Sequence, residues 1–120
     1  MSGGDDLSQT FERLKRAAEG LPGVVEGTSY GTPALKVGKK MLARVKDTGS
    51  VAIPCPLDEK EMLLSAADDI YFETDHYKGW PTVLIRMAAV SDDELRHRIE
   101  RCWLTQAPKA LVKARQARSM

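Results

Sequence analysis

The chain has 120 residues, of which 42% are hydrophobic and 29% charged, and its net charge is +1. This size and composition allow one globular domain with a buried core that needs neither disulfides nor metal. They exclude a disulfide-rich scaffold and a membrane-spanning helix, which needs about 18 consecutive apolar residues. The near-neutral net charge also argues against the tight, indiscriminate nucleic-acid binding that is typical of strongly basic domains.

The first predicted element is an amphipathic helix from about Leu7 to Glu19. Asp6 and Gln9 form a capping-box pattern before it, and Gly20 with Pro22 predicts its end. Its apolar side chains recur at helical spacing; they are Leu7, Phe11, Leu14, Ala18 and Leu21.

A series of short strands follows this helix. We predict strands over Val24–Thr28, Ala34–Val37, Met41–Val45 and Val51–Ile53, with a tight Gly/Pro corner at Ser29–Pro33. Glycine and proline at such a corner favour a sharp change of chain direction. Short turns between strands indicate a largely antiparallel sheet.

Two registers are open for the hairpin around Gly38. A three-residue loop, Gly38–Lys40, would place Leu35 and Val37 on the same face as Met41 and Ala43. A two-residue loop would instead pair Leu35 with Leu42. We favour the first, because it separates apolar from basic side chains and puts Lys36 and Arg44 on the opposite face.

The second half of the chain predicts three more helices and two more strands. Asp58 and Glu61 form a capping box for a helix over about residues 59–67, with Met62, Leu63 and Ala66 inward. Strands follow at Ile70–Glu73 and Thr82–Met87, separated by an irregular stretch at residues 75–81. Ser91 and Glu94 begin a helix that runs to about Gln106, and a last helix covers Lys109–Arg115. The inward face of the Ser91 helix is formed by Leu95, Ile99, Cys102 and Trp103.

These elements predict an α+β fold, a two-layer sandwich with helices packed on one face of an antiparallel sheet. We expect a single domain over residues 1–120, with an ordered core from about 7 to 115. The two cysteines, Cys55 and Cys102, are expected to be small, reduced core residues of a cytoplasmic protein.

No motif argues for catalysis. His76 follows Asp75, but sequence neighbours seldom face each other as a catalytic pair requires, and a structural loop histidine is the simpler interpretation. His97 lies between two arginines on a helix and is expected to face solvent. Cys55, Cys102 and His76 have no ligand spacing that suggests a metal site. We therefore expect a protein that is not an enzyme and has no metal or cofactor.

The charged residues are segregated along the chain. Residues 47–75 hold eight acidic groups and one lysine, whereas the segment from Arg96 to the end holds seven basic residues and one acidic residue. All five charged residues of the 28–46 segment are basic; they are Lys36, Lys39, Lys40, Arg44 and Lys46. Because electrostatic steering depends on where charge lies, this arrangement allows an anionic partner despite the near-neutral total.

Aromatic side chains accompany the basic ones in two loops. Tyr30 lies in the Gly/Pro corner, and Tyr77 and Trp80 flank Lys78 in the irregular stretch. Aromatic and basic groups together suit stacking on bases and pairing with phosphates. The alternative is that Tyr30 and Trp80 only anchor their loops over the core.

Three stretches resemble the MmcQ/YjbR family of small bacterial proteins. The most specific are Ser29–Pro33 (SYGTP), His76–Pro81 (HYKGWP) and Ala107–Lys109 (APK), and the resemblance extends from about Phe11 to Val112. It implies a frataxin-like (CyaY-like) α+β sandwich and a "double wing" arrangement proposed to bind DNA.

The leading functional hypothesis is a DNA-binding module that contacts phosphates through the basic hairpin and the C-terminal helix. Its candidate residues are Lys36, Lys39, Lys40, Arg44, Lys78, Arg86, Lys109 and Lys113. The alternative is a small-molecule or peptide pocket between the Ser29–Pro33 corner and the His76–Pro81 loop, lined by Tyr30, His76, Tyr77 and Trp80. A third hypothesis is a protein-interaction domain that presents the acidic 47–75 segment to a basic partner. None of the three involves a membrane.

Overall fold

The chain forms one six-stranded antiparallel sheet covered by helices. The computed structural model describes the backbone of residues 3–118 and the side chains of residues 7–117. The elements in chain order are α1 (Gly3–Ala17), β1 (Val24–Ser29), β2 (Thr32–Val37), β3 (Lys40–Asp47), β4 (Ser50–Pro54), α2 (Leu57–Ala66), β5 (Tyr71–Phe72), β6 (Thr82–Arg86), α3 (Asp92–Gln106) and α4 (Lys109–Arg118). The sheet order is β1-β2-β3-β4-β6-β5. The predicted α+β class is confirmed.

The hydrophobic core lies between the helices and one face of the sheet. Leu35, Val45, Ile53 and Ile85 point inward from four neighbouring strands, because alternate residues of a strand share a face. The helices contribute fully buried partners, namely Leu14, Leu95, Ile99 and Trp103. The Trp103 indole N–H donates to the Pro22 carbonyl oxygen at 2.9 Å, so its polar group is also satisfied. Among the described residues, no helix has the length and apolarity needed to cross a membrane.

The opposite, helix-free face of the sheet is also partly covered. The register aligns five residues across it: Ala34, Arg44, Ala52, Leu84 and Phe72. Four of them are buried: Ala34, Ala52, Leu84 and the charged Arg44. The segment between β5 and β6, which includes a 3₁₀ turn at Asp75–Tyr77, folds back here and brings the Tyr77 hydroxyl to Arg44. This face is therefore not fully exposed to solvent, and it contains the buried Arg44 with its hydrogen bond to Tyr77.

The hairpin between β2 and β3 differs from the favoured register. Val37 pairs with Lys40 across a two-residue turn, and Gly38 takes a φ of 60°, which the first central residue of a type II′ turn requires. A bulge then leaves Leu42 unpaired, so that Leu35 lies opposite Ala43. The predicted three-residue loop is wrong, and so is the inward position of Met41. Lys36 and Arg44 do share the helix-free face, as expected.

The helix starts show which capping patterns operate. The Ser91 Oγ accepts a hydrogen bond from the Glu94 backbone N–H at 3.0 Å, which confirms the predicted N-cap of α3. α1 begins at Gly3, so Asp6 lies inside the helix rather than at its N-cap; side chains before Leu7 lie outside those described.

The predicted Asp58–Glu61 capping box of α2 is wrong. The helix begins earlier, at Leu57, and its N-cap is Pro56, which makes no side-chain cap bond. The inward face is correspondingly rotated. Met62 is 56% exposed and Ala66 is exposed, while Leu63 is buried as predicted. The second buried residue of α2 is Lys60, a charged side chain.

Candidate functional site

The helix-free face carries a cavity of about 910 Å³. We call it the sheet cavity; it is lined by Ser29, Tyr30, Met41, Arg44, Lys46, Ala52, Thr74, His76, Tyr77, Trp80 and Thr82. All four side chains of the pocket hypothesis line it. It also contains Arg44, one of the candidate phosphate contacts of the basic hairpin. The corner and the loop therefore do meet, around a buried arginine.

Arg44 is the central group of the sheet cavity. Its side chain comes from the middle of β3, and the residue is only 7% exposed. One terminal nitrogen donates to the Thr32 Oγ1 at 3.2 Å, and the other donates to the Tyr77 hydroxyl. No ion pair joins Arg44 to an acidic group among the described side chains. A guanidinium has five N–H donors, so donors remain beyond these two bonds.

Tyr30 forms one rim of the sheet cavity from a strained turn. Ser29 pairs with Thr32, so Tyr30 and Gly31 are the two central residues of the β1–β2 hairpin. Their φ values are 53° and 80°, as a type I′ turn requires. Glycine adopts this left-handed conformation without strain, whereas in a tyrosine it costs about 1–2 kcal/mol of backbone stability. The ring is 90% exposed, and the Arg44 guanidinium carbon lies 5.3 Å from its centroid.

The opposite rim is formed by the segment between β5 and β6. Trp80 is 62% exposed, and His76 is also exposed, with its ring edge-on to Tyr77 at a centroid distance of 4.9 Å. The interpretation that Tyr30 and Trp80 anchor their loops over the core is therefore wrong. Exposed aromatic rings on two sides of a cavity can stack on a flat ligand instead.

The hairpin lysines lie at a second site. A cleft of about 610 Å³ is lined by the β2–β3 turn, the end of α3 and the start of α4. We call it the lysine cleft, after Lys39, Lys40, Lys109 and Lys113, which line it together with Gly38, Leu104, Thr105, Gln106, Ala107, Pro108, Val112 and Gln116. None of these described lining residues is acidic. The Gln106 Nε2 donates to the Met41 carbonyl oxygen at 3.1 Å and so fixes the end of α3 against β3.

The remaining candidate nucleic-acid contacts line neither site. Arg86 lies over the Phe72 ring, with its guanidinium carbon 4.1 Å from the centroid, on the β6–β5 side of the sheet. Lys36 runs along the backbone of Gly27, and Lys78 is exposed in the β5–β6 segment. The eight basic residues are thus divided between the lysine cleft, the sheet cavity and isolated positions.

The cysteines have no nucleophilic character. Both are buried and reduced. Burial raises the pKa of Cys55 to about 11 and that of Cys102 to about 12, so both are neutral thiols near pH 7. Burial and the hydrogen bond to Glu94 likewise raise the pKa of the Tyr71 hydroxyl. These groups belong to the core.

The match to known proteins covers the whole sheet cavity. A model of the YjbR family matches residues 19–105, which include the Tyr30 corner, Arg44 and the segment that carries Trp80. The chain belongs to the YjbR family. The expected resemblance is thereby confirmed.

Relatives of this YjbR protein include uncharacterised proteins of Mycobacterium tuberculosis and Mycobacterium bovis. Each is 32% identical over 129 residues, covering 92% of this chain and 98% of the relative. The crystal structure of Deinococcus radiodurans protein DR2400, with a domain of the DUF419 family model, superposes with a TM-score of 0.67 at 18% identity. That match covers 79% of this chain and 76% of the other, and it concerns the fold.

Proposed function

We propose that this YjbR protein binds a small ligand in which a planar ring carries a phosphate or a carboxylate. The ligand occupies the sheet cavity, with its anionic group on Arg44 and its ring against Tyr30 and Trp80. The observation that carries this proposal is a buried arginine with unused donors and no acidic partner among the described residues.

The electrostatics of Arg44 favour an anionic ligand. Removing a guanidinium from water costs several kcal/mol unless an opposite charge or a full set of hydrogen bonds compensates. Here two neutral oxygens, from Thr32 and Tyr77, are the acceptors. A phosphate or carboxylate would complete the set through charge-assisted bonds, which are about twice as strong as neutral ones.

The strain at Tyr30 supports the same proposal. The Tyr30 side chain is exposed, so burial of its ring does not compensate the backbone strain at this position. Asparagine or glycine would be less strained there. Strained residues cluster at ligand sites, where the surrounding structure holds them. The Arg44 guanidinium carbon lies 5.3 Å from the centroid of the Tyr30 ring, and Trp80 lines the same cavity, so both exposed rings are available to stack on a flat ligand.

A matched set of ligands tests the proposal. The ¹⁵N-labelled protein is titrated with 1-naphthyl phosphate, with neutral 1-naphthamide and with inorganic phosphate, and amide shifts are followed by NMR. We expect saturable shifts at Tyr30, Arg44 and Trp80, and an affinity for the naphthyl phosphate at least about tenfold above that for the amide. Arg44→Met should remove this preference, whereas Lys113→Met, in the lysine cleft, should keep it.

Two results would overturn the proposal. One is the absence of saturable shifts at millimolar naphthyl phosphate. The other is binding whose preference for the anion survives in Arg44→Met.

A second candidate function is DNA binding through the lysine cleft. Its support is that four lysines from the β2–β3 turn and α4 line one concave surface without an acidic neighbour among its described lining residues. Lysines arranged in this way suit phosphate contacts, which position a protein on DNA without reading its sequence. Binding of a fluorescent duplex that weakens with added salt would support this candidate; no binding at low salt would remove it.

A further inference from the structure

Lys60 has an unusual position for a lysine. It lies on α2 and is only 3% exposed, whereas lysine is almost never fully buried without partners. It does not line the sheet cavity. Nothing in the sequence pattern of α2 distinguishes it from the exposed charged residues around it.

The partners of the Lys60 ammonium group all belong to one segment. Its Nζ donates to the carbonyl oxygens of Tyr77 and Trp80, each at 2.8 Å, and pairs with the Glu73 Oε1 at 2.9 Å. An ammonium group has three N–H donors. One buried cation therefore uses its whole donor capacity on the segment from Glu73 to Trp80, which forms a rim of the sheet cavity.

That segment has few other means of holding its place. Asp75, His76, Lys78 and Trp80 are all exposed, so it has little apolar anchorage. The backbone N–H groups of Tyr77 and Trp80 donate to the carbonyl oxygens of Thr74 and Tyr77, which belong to the same segment. Tyr77 meets Arg44 on the cavity side, and Lys60 holds the segment's backbone from α2.

We propose that Lys60 is a positioning residue for the ligand site: its ammonium group fixes the 73–80 segment so that His76, Tyr77 and Trp80 line the sheet cavity. Lys60 does not touch the ligand. Its effect on affinity rests on the proposed function, whereas its effect on the segment does not. If its loss leaves the lining arrangement populated about a tenth of the time, the apparent affinity falls about tenfold.

The two tryptophans allow a direct test. Trp80 lies in the segment and Trp103 is fully buried in the core, so 5-fluorotryptophan labelling gives one ¹⁹F reporter for each. In Lys60→Met we expect the Trp80 resonance to shift and the Trp103 resonance to stay. Amide hydrogen exchange should rise for residues 74–80 but not for β3, β4 or α3. Binding of 1-naphthyl phosphate should weaken about tenfold.

Lys78→Met is the matched control, because it removes an exposed charge from the same segment and leaves the contacts of Lys60 intact. It should leave the Trp80 resonance, the exchange rates and the affinity unchanged. Glu73→Gln keeps both carbonyl contacts of Lys60 and should give a smaller change in the same direction. If Lys60→Met does not fold, Glu73→Gln decides by the same measurements.

The outcomes separate the two proposals. An unchanged Trp80 resonance and unchanged exchange in a folded Lys60→Met protein would overturn the positioning role. A loosened segment with unchanged naphthyl phosphate affinity would overturn its link to binding. A loosened segment in a protein that binds no naphthyl phosphate even as wild type would support the positioning role and remove the proposed ligand.

Discussion

The Arg44 guanidinium carbon lies 5.3 Å from the centroid of the Tyr30 ring, so a buried cation and a strained, exposed tyrosine meet at one point of the helix-free face. Each feature is unfavourable for folding alone. A buried guanidinium without an anionic partner loses hydration, and a tyrosine with a φ of 53° loses backbone stability. Their coincidence beside Trp80 and His76 is what makes the sheet cavity a candidate binding site.

The first prediction concerns the strain at Tyr30. Tyr30→Asn should raise the free energy of unfolding by roughly 0.5–1 kcal/mol, because relief of the φ strain exceeds the cation–π stabilisation that the ring provides. The same change should weaken binding of 1-naphthyl phosphate. Urea denaturation and NMR titration measure the two effects. Tyr30→Phe keeps the backbone conformation and the ring, so it should match the wild type in both; a loss of stability in Tyr30→Asn would contradict the argument.

Much of this fold could be predicted from local chemistry. The Ser91 cap and the inward stripe of α3 both depend on neighbours within a few residues, and each is present. The pocket hypothesis also placed Tyr30 and Trp80 at one site, because both lie in loops that the sheet brings together.

The errors arise where distant parts of the chain decide the structure. The bulge at Leu42 moves Met41 to the helix-free face, and only strand pairing with Leu35 and Lys36 reveals it. The sequence around Lys60 is typical of a charged, solvent-facing helix start. The burial of this lysine depends on the 73–80 segment, which is distant in sequence and packs against it. The separation of Arg44 from the hairpin lysines has the same origin.

The second prediction concerns the stability effect of Arg44. Arg44→Met keeps most of the side-chain volume and removes a buried charge that has no acidic partner among the described residues. Replacing buried charges with apolar groups is often neutral or stabilising by about 1–4 kcal/mol. We expect the melting temperature to hold or rise, measured by circular dichroism. A marked fall would mean that the bonds to Thr32 and Tyr77 outweigh the desolvation of the guanidinium.

The third prediction concerns acid stability. Glu59 is held by hydrogen bonds from Arg101 and from the buried Arg98, and these bonds lower the pKa of its carboxyl group. Because the unfolded state then binds more protons, this stabilisation is complete above the unfolded pKa of about 4.3 and is lost as pH falls towards the folded value. Urea unfolding from pH 7 down to pH 3 should show this loss in the wild type.

Glu59→Gln tests the assignment. Glu59 is partly buried, so its loss should cost more than the about 0–1 kcal/mol of an exposed pair and less than the about 3–5 kcal/mol of a fully buried one. The variant should therefore be less stable at pH 7 and should lose less stability on acidification. The matched control is Glu12→Gln, which removes an exposed pair with Lys15 and should change stability by less than about 1 kcal/mol. Parallel acid profiles for Glu59→Gln and the wild type would contradict the assigned role.

The fourth prediction concerns thiol reactivity. Burial raises the pKa of Cys55 to about 11 and of Cys102 to about 12, and the thiolate is the reactive form. The native protein should therefore react slowly with an aromatic disulfide reagent at pH 8, and both thiols should react fully in urea. Single variants Cys55→Ala and Cys102→Ala assign the signals. Fast labelling of the folded protein would show that one thiol is accessible and activated.

The last prediction separates the lysine cleft from the sheet cavity. Lys39→Glu/Lys40→Glu should weaken duplex DNA binding similarly for unrelated sequences, because phosphate contacts carry no base information. The slope of log affinity against log salt should become shallower by roughly 0.9 for each DNA phosphate that the variant no longer neutralises. Stability should stay within about 0.5 kcal/mol, since both side chains are exposed. Fluorescence anisotropy across a salt series measures the affinity and the slope.

Lys109→Glu/Lys113→Glu, on the α4 side of the same cleft, should have the same effect. Arg16→Glu/Arg96→Glu makes an equal charge change at exposed positions on α1 and α3, away from the cleft, and corrects for the general loss of positive charge. All three double variants should bind 1-naphthyl phosphate like the wild type, because none touches the sheet cavity. Unchanged DNA affinity in both cleft variants, with the fold intact, would remove the lysine cleft as a DNA site and leave the Arg44 site as the remaining proposal.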